Sequence, residues 1–236
     1  MKAQIKEKTE VAKGTLMVVF DLLGHEVEFV PGQYFWVELL DPPYDDEKGP
    51  RRHISIVTSP NDRGVLGLAT RVRDSAFKRS LAEMPVGAEV DVEDPKGDFH
   101  LPEDTSKDYV FIAGGIGITV LRSMLKYIAE EKLPYRITLL YSNRDRESTA
   151  FFDELQEWEQ QIEGLKVVFT MTEDPGWQGE TRRIDADFVR EQLDGDLGSY
   201  TYIVSGPPGM VNGVADQLEG EGVPEEQVIR SRFSGY

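Results

Sequence analysis

Tyr109-Val110-Phe111-Ile112-Ala113-Gly114-Gly115-Ile116-Gly117-Ile118-Thr119 is the stretch of this 236-residue chain that decides its fold. An apolar run passes into a glycine turn, and then into a segment whose Ile118, Leu121, Leu125 and Ile128 recur at helical spacing. A strand, glycine turn and helix in this order make a seat for a phosphorylated nucleotide. The glycines let the backbone turn tightly and approach a pyrophosphate without a Cβ in the way, while the N–H groups at the helix start favour its negative charge. The same letters also suit a plain strand-to-helix turn, because Val120 stands where a G-x-G-x-x-G pattern would carry a third small residue. The rest of the chain has to arbitrate.

Downstream of this stretch, strands alternate with helices. Strands are expected at Arg136 to Tyr141, Lys166 to Thr170 and Tyr202 to Ser205, and helices near Ser148 to Ile162, near Ala186 to Leu193 and from Pro208. That is the pattern of a parallel α/β sheet. Upstream, short alternating or β-branched segments (Thr15 to Leu22, Gln33 to Leu40, Ile54 to Thr58, Leu66 to Val72, Glu89 to Val92) are parted by turn signals such as Val30-Pro31-Gly32 and Asn61-Asp62-Arg63-Gly64. This reads as a small antiparallel β-barrel. The fold class is therefore a two-domain β plus α/β chain, with a barrel over 1–103, an α/β domain over 108–236 and a linker around Leu101 to Ser106.

Composition narrows the chemistry. The chain has no cysteine, which excludes a disulfide framework, a zinc-thiolate site and a cysteine-held iron-sulfur cluster, so redox work needs a bound organic cofactor. No metal site is expected. Its 43 acidic and 26 basic residues give a net charge of -17, spread along the chain, which argues against nucleic acid as a partner and suits a high-salt interior where charges are screened. No apolar run approaches the roughly 20 residues that span a bilayer, and the first residues lack the apolar stretch of a signal peptide. The expectation is a cytoplasmic protein without membrane insertion.

Three more constellations sit where ligand chemistry would need them. Arg51-Arg52-His53-Ile54-Ser55 opens a strand after the acidic, proline-rich Asp41 to Pro50 loop; a guanidinium can clamp a diphosphate, and a hydroxyl three residues on can donate. A surface arginine pair on an edge strand is the plainer account. Thr70-Arg71-Val72-Arg73-Asp74-Ser75-Ala76-Phe77-Lys78 places Ser75 as the cap of a helix with Phe77, Leu81 and Met84 inward. Val204-Ser205-Gly206-Pro207-Pro208-Gly209-Met210 is a second strand-to-helix turn at the carboxyl edge of the sheet, where open α/β sheets bind ligands.

In this order and at these separations the motifs resemble the ferredoxin-NADP(+) reductase superfamily over essentially the whole chain: R-x-x-S (Arg52 to Ser55), the Ser75 helix segment, G-G-x-G-x-T, S-G-P-P and the carboxyl-terminal Phe233-Ser234-Gly235-Tyr236. The resemblance implies a barrel that binds FAD and an α/β domain that binds a nicotinamide dinucleotide. Arg52 would bind the flavin pyrophosphate with Ser75, Ala76, Phe77 and Lys78. His53, Ile54, Thr70, Arg71 and Val72 would complete the flavin site, and Ser55 would lie near flavin N5. Gly114, Gly115, Gly117 and Thr119 would carry the phosphates of the dinucleotide, and Ser205, Gly206 and Pro207 would flank the nicotinamide. Phe233 would shield the flavin face, with Tyr236 beside the cofactor. Ser55, Ser205 and Phe233 are the catalytic candidates. Three positions depart from the family: Ile54 replaces an aromatic residue, Ser205 a frequent cysteine and Ser231 a glutamate, and no acid-base role passes to Ser231.

Coenzyme choice turns on the ribose 2′ position. Tyr141-Ser142-Asn143-Arg144 ends its strand without the carboxylate that would bond a free hydroxyl, and Arg144, Arg146, Arg182 and Arg183 converge on that edge. This favours NADP(H), with NAD(H) as the alternative. The expected activity is hydride transfer between NADP(H) and flavin N5, with electrons passed to a separate protein such as ferredoxin or flavodoxin. For an acidic partner, Arg71, Arg73, Lys78 and Arg79 would supply a basic patch. The alternatives are the reductase component of an oxygenase, a small-molecule flavin or ferric reductase, and a non-catalytic FAD-binding relay subunit.

Overall fold

A computed structural model describes residues 1–231. The chain forms two compact units, one of Met1–Leu101 with Arg122–Tyr127, the other of Pro102–Leu121 with the residues from Ile128 on. Among the described residues no helix is long and apolar enough to cross a membrane.

In the first unit six strands, β1 (Lys2–Ala12), β2 (Thr15–Asp21), β3 (Tyr34–Leu39), β4 (Arg51–Ser55), β5 (Val65–Arg71) and β6 (Glu89–Val92), make an antiparallel sheet in the order β4-β3-β6-β1-β2-β5. The chain leaving β4 bends the two edges toward each other: Val57 N–H donates to Gly67 O on β5 (2.9 Å), and Gly67 N–H to Thr58 Oγ1 (3.1 Å). Alternation sorts the side chains. On β3, Phe35, Val37 and Leu39 are buried while Tyr34, Trp36 and Glu38 are half-buried. The inward set joins Val18, Phe20, Leu66 and Leu68 and the helix α1 (Ala76–Glu83), whose Phe77 and Leu81 reach the same core. Burial of each such side chain contributes about 1.5–3 kcal/mol.

Two boundaries differ from the sequence expectation. β4 begins at Arg51, not Ile54, because its ladder with β3 starts at Glu38↔Arg51 and ends at Tyr34↔Ser55. β1 was not expected at all. Only Ala3 and Ile5 alternate inward to full burial, and the charged residues of the strand are half-buried or exposed. Its pairing with β2, from Gln4↔Asp21 to Ala12↔Thr15, still makes a long hairpin. Lys8 on this strand donates to the carbonyls of Ala82 and Met84 (2.7 Å to the latter), so a cation closes the carboxyl end of α1.

The second unit is a parallel sheet of β7 (Asp108–Gly114), β8 (Arg136–Asn143), β9 (Leu165–Met171), β10 (Tyr200–Ser205) and β11 (Val228–Arg230), in the order β11-β10-β7-β8-β9. Its helices are α2 (Ile118–Glu131), α3 (Phe152–Gln161), α4 (Ala186–Gln192) and α5 (Pro208–Gly220). β7 is buried on both faces, as a central parallel strand requires. Val110, Ile112, Tyr202 and Val204 share a core with Phe188 and Val189 of α4 and Val211, Val214 and Leu218 of α5. The three-residue β11 was not expected, and α3 starts at Phe152 rather than near Ser148 because Phe151 takes a left-handed conformation (φ 61°).

Gly115–Gly117 form a single 3₁₀ turn before α2, with Gly115 left-handed (φ 52°). A Cβ on Gly117 would stand 2.4 Å from Ser205 O and 2.6 Å from the Gly206 backbone, whereas one on Gly213 in α5 would meet nothing within 4 Å. Gly117→Ala is expected to destabilise the chain by about 1–3 kcal/mol, and Gly213→Ala to stabilise it by about 0.5–1 kcal/mol. Urea unfolding checks both; a Gly117→Ala chain as stable as wild type would contradict the close approach.

Candidate functional site

Arg52 organises the candidate site of the first unit. It is paired with Val37 in the β3–β4 ladder, on the core side, and is only 7% exposed. Its Nη1 donates to the carbonyls of Lys48 (2.9 Å), Gly49 (2.8 Å) and Arg51 (2.7 Å), while its Nη2 is buried with no hydrogen-bond partner. The guanidinium also sits 5.4 Å from the Phe77 ring centroid. A buried cationic donor without an acceptor is costly, and an anion in its reach removes the cost. The charges around it point the same way. Lys78 is held below the usual lysine range, first by burial and then by the fields of Arg73, Arg52 and Lys48. Of the cations offered above to an acidic protein partner, Lys78 thus lies in the fields of both Arg73 and Arg52, and Arg79 lies over the Tyr44 ring at 3.8 Å.

Ser75 occupies the cap position of α1 in extended conformation, but its hydroxyl makes no capping bond. The helix start is served from a distance: Ala76 N–H donates to Asp46 Oδ2 at 3.1 Å. Asp46 belongs to the Asp41 to Pro50 loop and was missed, because no local pattern links a loop carboxylate to a helix thirty residues away. Thr70 is buried on β5, half-buried Arg71 ends that strand, and half-buried Val72 beyond it donates its N–H to Gly14 O (2.9 Å).

The other face of β4 carries His53 and Ser55 opposite Trp36 and Tyr34. The His53 ring lies between Tyr34 (5.3 Å) and Trp36 (4.8 Å), with Arg51 over Trp36 at 4.4 Å, and burial pushes its pKa down, which favours the neutral ring. Tyr34 and Trp36 are thus site neighbours that the alternation of β3 could have revealed. The Ser55 hydroxyl is half-buried and makes no hydrogen bond among the described residues. Ile54 packs against the barrel core, so its aliphatic side chain completes packing where an aromatic ring would be expected to stack.

In the second unit the parallel register brings Gly114, Ser142 and Ser205 to one carboxyl edge, with Ala113 opposite both Tyr141 and Ser205. Two turns meet there. Besides the Gly117 contact, a Cβ on Gly114 would fall 2.2 Å from Met210 Sδ and 3.1 Å from Pro207 Cδ, and one on Gly206 3.1 Å from Gly114 N. The glycines first permit turn to meet turn; the sequence credits them only with room for a phosphate. Tyr141 donates its hydroxyl to Gly115 O (3.1 Å), fixing the left-handed residue, and buried Thr119 donates to Ile116 O (3.1 Å) inside the turn. Ser205 is 3% exposed, and its hydroxyl has no partner among the described residues.

The four arginines divide. Arg146 pairs with Asp153 (2.7 Å) and lies over Phe152 (3.5 Å), and Arg182 is held by Glu180 (3.1 Å) and Glu191 (2.7 Å). Arg144 and Arg183 are exposed and make no ion pair among the described residues. Asn143 is buried, and its carbonyl accepts from Thr172 N–H (2.9 Å); the next carbonyl, of Arg144, accepts from Glu173 N–H (2.7 Å). An aromatic wall that sequence reasoning missed stands nearby: Phe152 stacks on Phe169 at 4.3 Å and meets Trp177 edge-on at 6.0 Å. Phe233 and Tyr236 lie outside the described residues; Ser231, before them, donates its N–H to Val204 O (2.8 Å).

Comparisons with known proteins agree with this division. Residues 2–101 match the family model of an oxidoreductase FAD-binding domain and residues 111–216 that of an oxidoreductase NAD-binding domain. The chain is 30% identical to methane monooxygenase component C of Methylosinus trichosporium, over 72% of this chain and 49% of that protein. It is 23% identical to NADH-cytochrome b5 reductase 1 of Aspergillus terreus, over 95% of this chain and 79% of that protein. It thus spans about half the length of the first relative and about four-fifths of the second. Among solved structures, the ferredoxin reductase in carbazole 1,9a-dioxygenase superposes with a TM-score of 0.81 at 26% identity, over 98% of this chain and 68% of that one. An antiparallel FAD-binding unit followed by a parallel NAD-binding unit, matched over nearly all of its length, makes this chain a member of the ferredoxin reductase-like family of oxidoreductases.

Proposed function

We propose that this chain is an FAD-dependent oxidoreductase that oxidises NADPH and passes the electrons to a separate acceptor. The observation that carries the reading is the buried Nη2 of Arg52, which has no hydrogen bond and only an ion pair at 3.6 Å to Asp46, beside a nitrogen already saturated by three carbonyls. A pyrophosphate oxygen suits that unmade hydrogen bond in charge and in donor geometry. Arg52 would hold the FAD pyrophosphate with N–H groups of the first turn of α1, and Ser55 would offer its free hydroxyl to the flavin ring. In the second unit the Gly114 to Gly117 turn would hold the dinucleotide phosphates, while Ser205, Gly206 and Pro207 would flank the nicotinamide. FAD, when bound, supplies the capacity to accept a hydride and to release electrons singly or in pairs. Phe233 keeps its proposed place against the flavin, and Tyr236 its place beside the cofactor.

NADPH is preferred on the strength of Arg144 and Arg183, the two arginines of the edge with no carboxylate partner. NADH is the second reading. It is favoured by Glu173, whose backbone joins that of Arg144 and brings a carboxylate to the same edge, and by the relative named as an NADH-cytochrome b5 reductase. For the acceptor, ferredoxin or flavodoxin stands beside the component of an oxygenase, the latter supported by the likeness to a methane monooxygenase component. The gathering of Arg52, Arg73 and Lys78 at one locus also leaves fewer cations for an acidic ferredoxin.

Anaerobic addition of NADPH to the flavin-loaded protein is expected to bleach the visible flavin bands, and faster than NADH does; bands that persist with both would leave only the non-catalytic relay subunit. Arg52→Ala should weaken FAD binding roughly 10- to 100-fold, as loss of a charged hydrogen-bond donor implies. Flavin retention on gel filtration reads this out, and undiminished retention would remove the pyrophosphate role. Arg144→Ala should raise KM for NADPH about tenfold and spare NADH; an equal effect on both coenzymes would overturn the NADPH preference.

A further inference from the structure

The anion cradle around Arg52 already contains an anion supplied by the chain. Asp46 accepts from Ala76 N–H at the start of α1 (3.1 Å, Oδ2) and from Lys48 N–H (2.9 Å, Oδ1), and its Oδ1 lies 3.6 Å from the Arg52 Nη2 that has no hydrogen-bond partner. One carboxylate thus touches both groups to which the flavin pyrophosphate is assigned. Against the upward push of burial, the N–H groups of Lys48 and Ala76 and the charges of Arg52 and Lys48 hold its pKa below the usual carboxylate range. The loop that carries it is moored further along the helix. Tyr44 exchanges two hydrogen bonds with the Ser80 hydroxyl (N–H donating at 3.1 Å, carbonyl accepting at 3.2 Å), and its phenol donates to Glu83 (2.9 Å).

We infer that Asp46 is an internal surrogate for the FAD pyrophosphate: it holds the cradle when no flavin is bound and must leave Arg52 and Ala76 for the cofactor to enter. This rests on the flavin reading given above. The fit at Asp46 is incomplete, because its oxygen stops short of hydrogen-bond distance from Arg52 Nη2; a pyrophosphate, with more oxygens and more charge, would complete it. Displacement therefore exchanges a weaker anion for a stronger one. The exchange raises the threshold for flavins whose phosphate groups are fewer, so Asp46 acts as a specificity element for a dinucleotide flavin.

The test uses the full chain freed of flavin and titrated with FAD, followed by quenching of flavin fluorescence. Asp46→Asn, which keeps the shape and removes the charge, should bind FAD about tenfold more tightly than wild type, the order expected when a competing charged contact is lost. Asp46→Ala should move in the same direction. Riboflavin, which has no phosphate, should bind wild type and variants alike. Inorganic pyrophosphate should raise the melting temperature of Asp46→Asn more than that of wild type. Equal or weaker FAD binding by both variants, or an equal gain for riboflavin, would overturn the assignment. Should wild type bind no FAD, the flavin reading itself fails, and pyrophosphate alone decides: no greater stabilisation of the variant would then overturn the role of Asp46.

Discussion

A guanidinium held out of water governs the first unit. Burying a charge is costly unless it is neutralised and hydrogen-bonded, and Arg52 meets only half of that demand from the protein, through three carbonyls converging on one of its nitrogens. The surroundings follow from it. The acidic loop folds back so that its carbonyls and Asp46 reach the guanidinium, β4 starts early enough to seat Arg52 opposite Val37, and Phe77 offers its ring face. In a chain of net charge -17, Lys78 lies in the fields of Arg73, Arg52 and Lys48, a local concentration of positive charge that Asp46 offsets in part.

The second unit solves a different problem, that of bringing two turns together at one strand edge. Parallel register aligns Ala113 with Ser205, and the main chains after them approach so closely that Gly117 excludes a side chain and Gly206 leaves one only a tight fit against Gly114, which is itself crowded by the Met210 and Pro207 side chains. The result is a floor of bare backbone with one buried hydroxyl, Ser205, and one left-handed residue, Gly115, pinned by the Tyr141 phenol. Peptide dipoles rather than side chains define the polarity of this edge, which suits ligands recognised by phosphate.

Much of this was legible in the letters. Alternation announced β3 and β5, the apolar run announced β7, and the spacing of Ile118, Leu121, Leu125 and Ile128 announced α2, all four fully buried. What escaped was set by partners distant in sequence. β1 buries only Ala3 and Ile5 fully and is held as a strand by its pairing with β2 and β6; β11 is three residues added to β10. Ser75 was correctly placed at a helix start, yet the acceptor there comes from Asp46. The four arginines were visible as a group, but Asp153, Glu180 and Glu191 remove two of them from play, and those pairings exist only in the folded chain.

Lys8 gives the helix beside the Arg52 cradle a property that neither end has alone. Its ammonium fastens the last carbonyls of α1 to β1, and Tyr44 fastens the middle of the helix through Ser80. The middle and the carboxyl end of this eight-residue helix are thereby held by contacts within the chain. For a phosphate ligand held as proposed above, the orientation of the first-turn N–H groups would not have to be created during binding, which leaves the displacement of Asp46 from Ala76 N–H as the main rearrangement. A strand assigned no ligand contact of its own would thus contribute to the proposed affinity through preorganisation, from the opposite end of the helix.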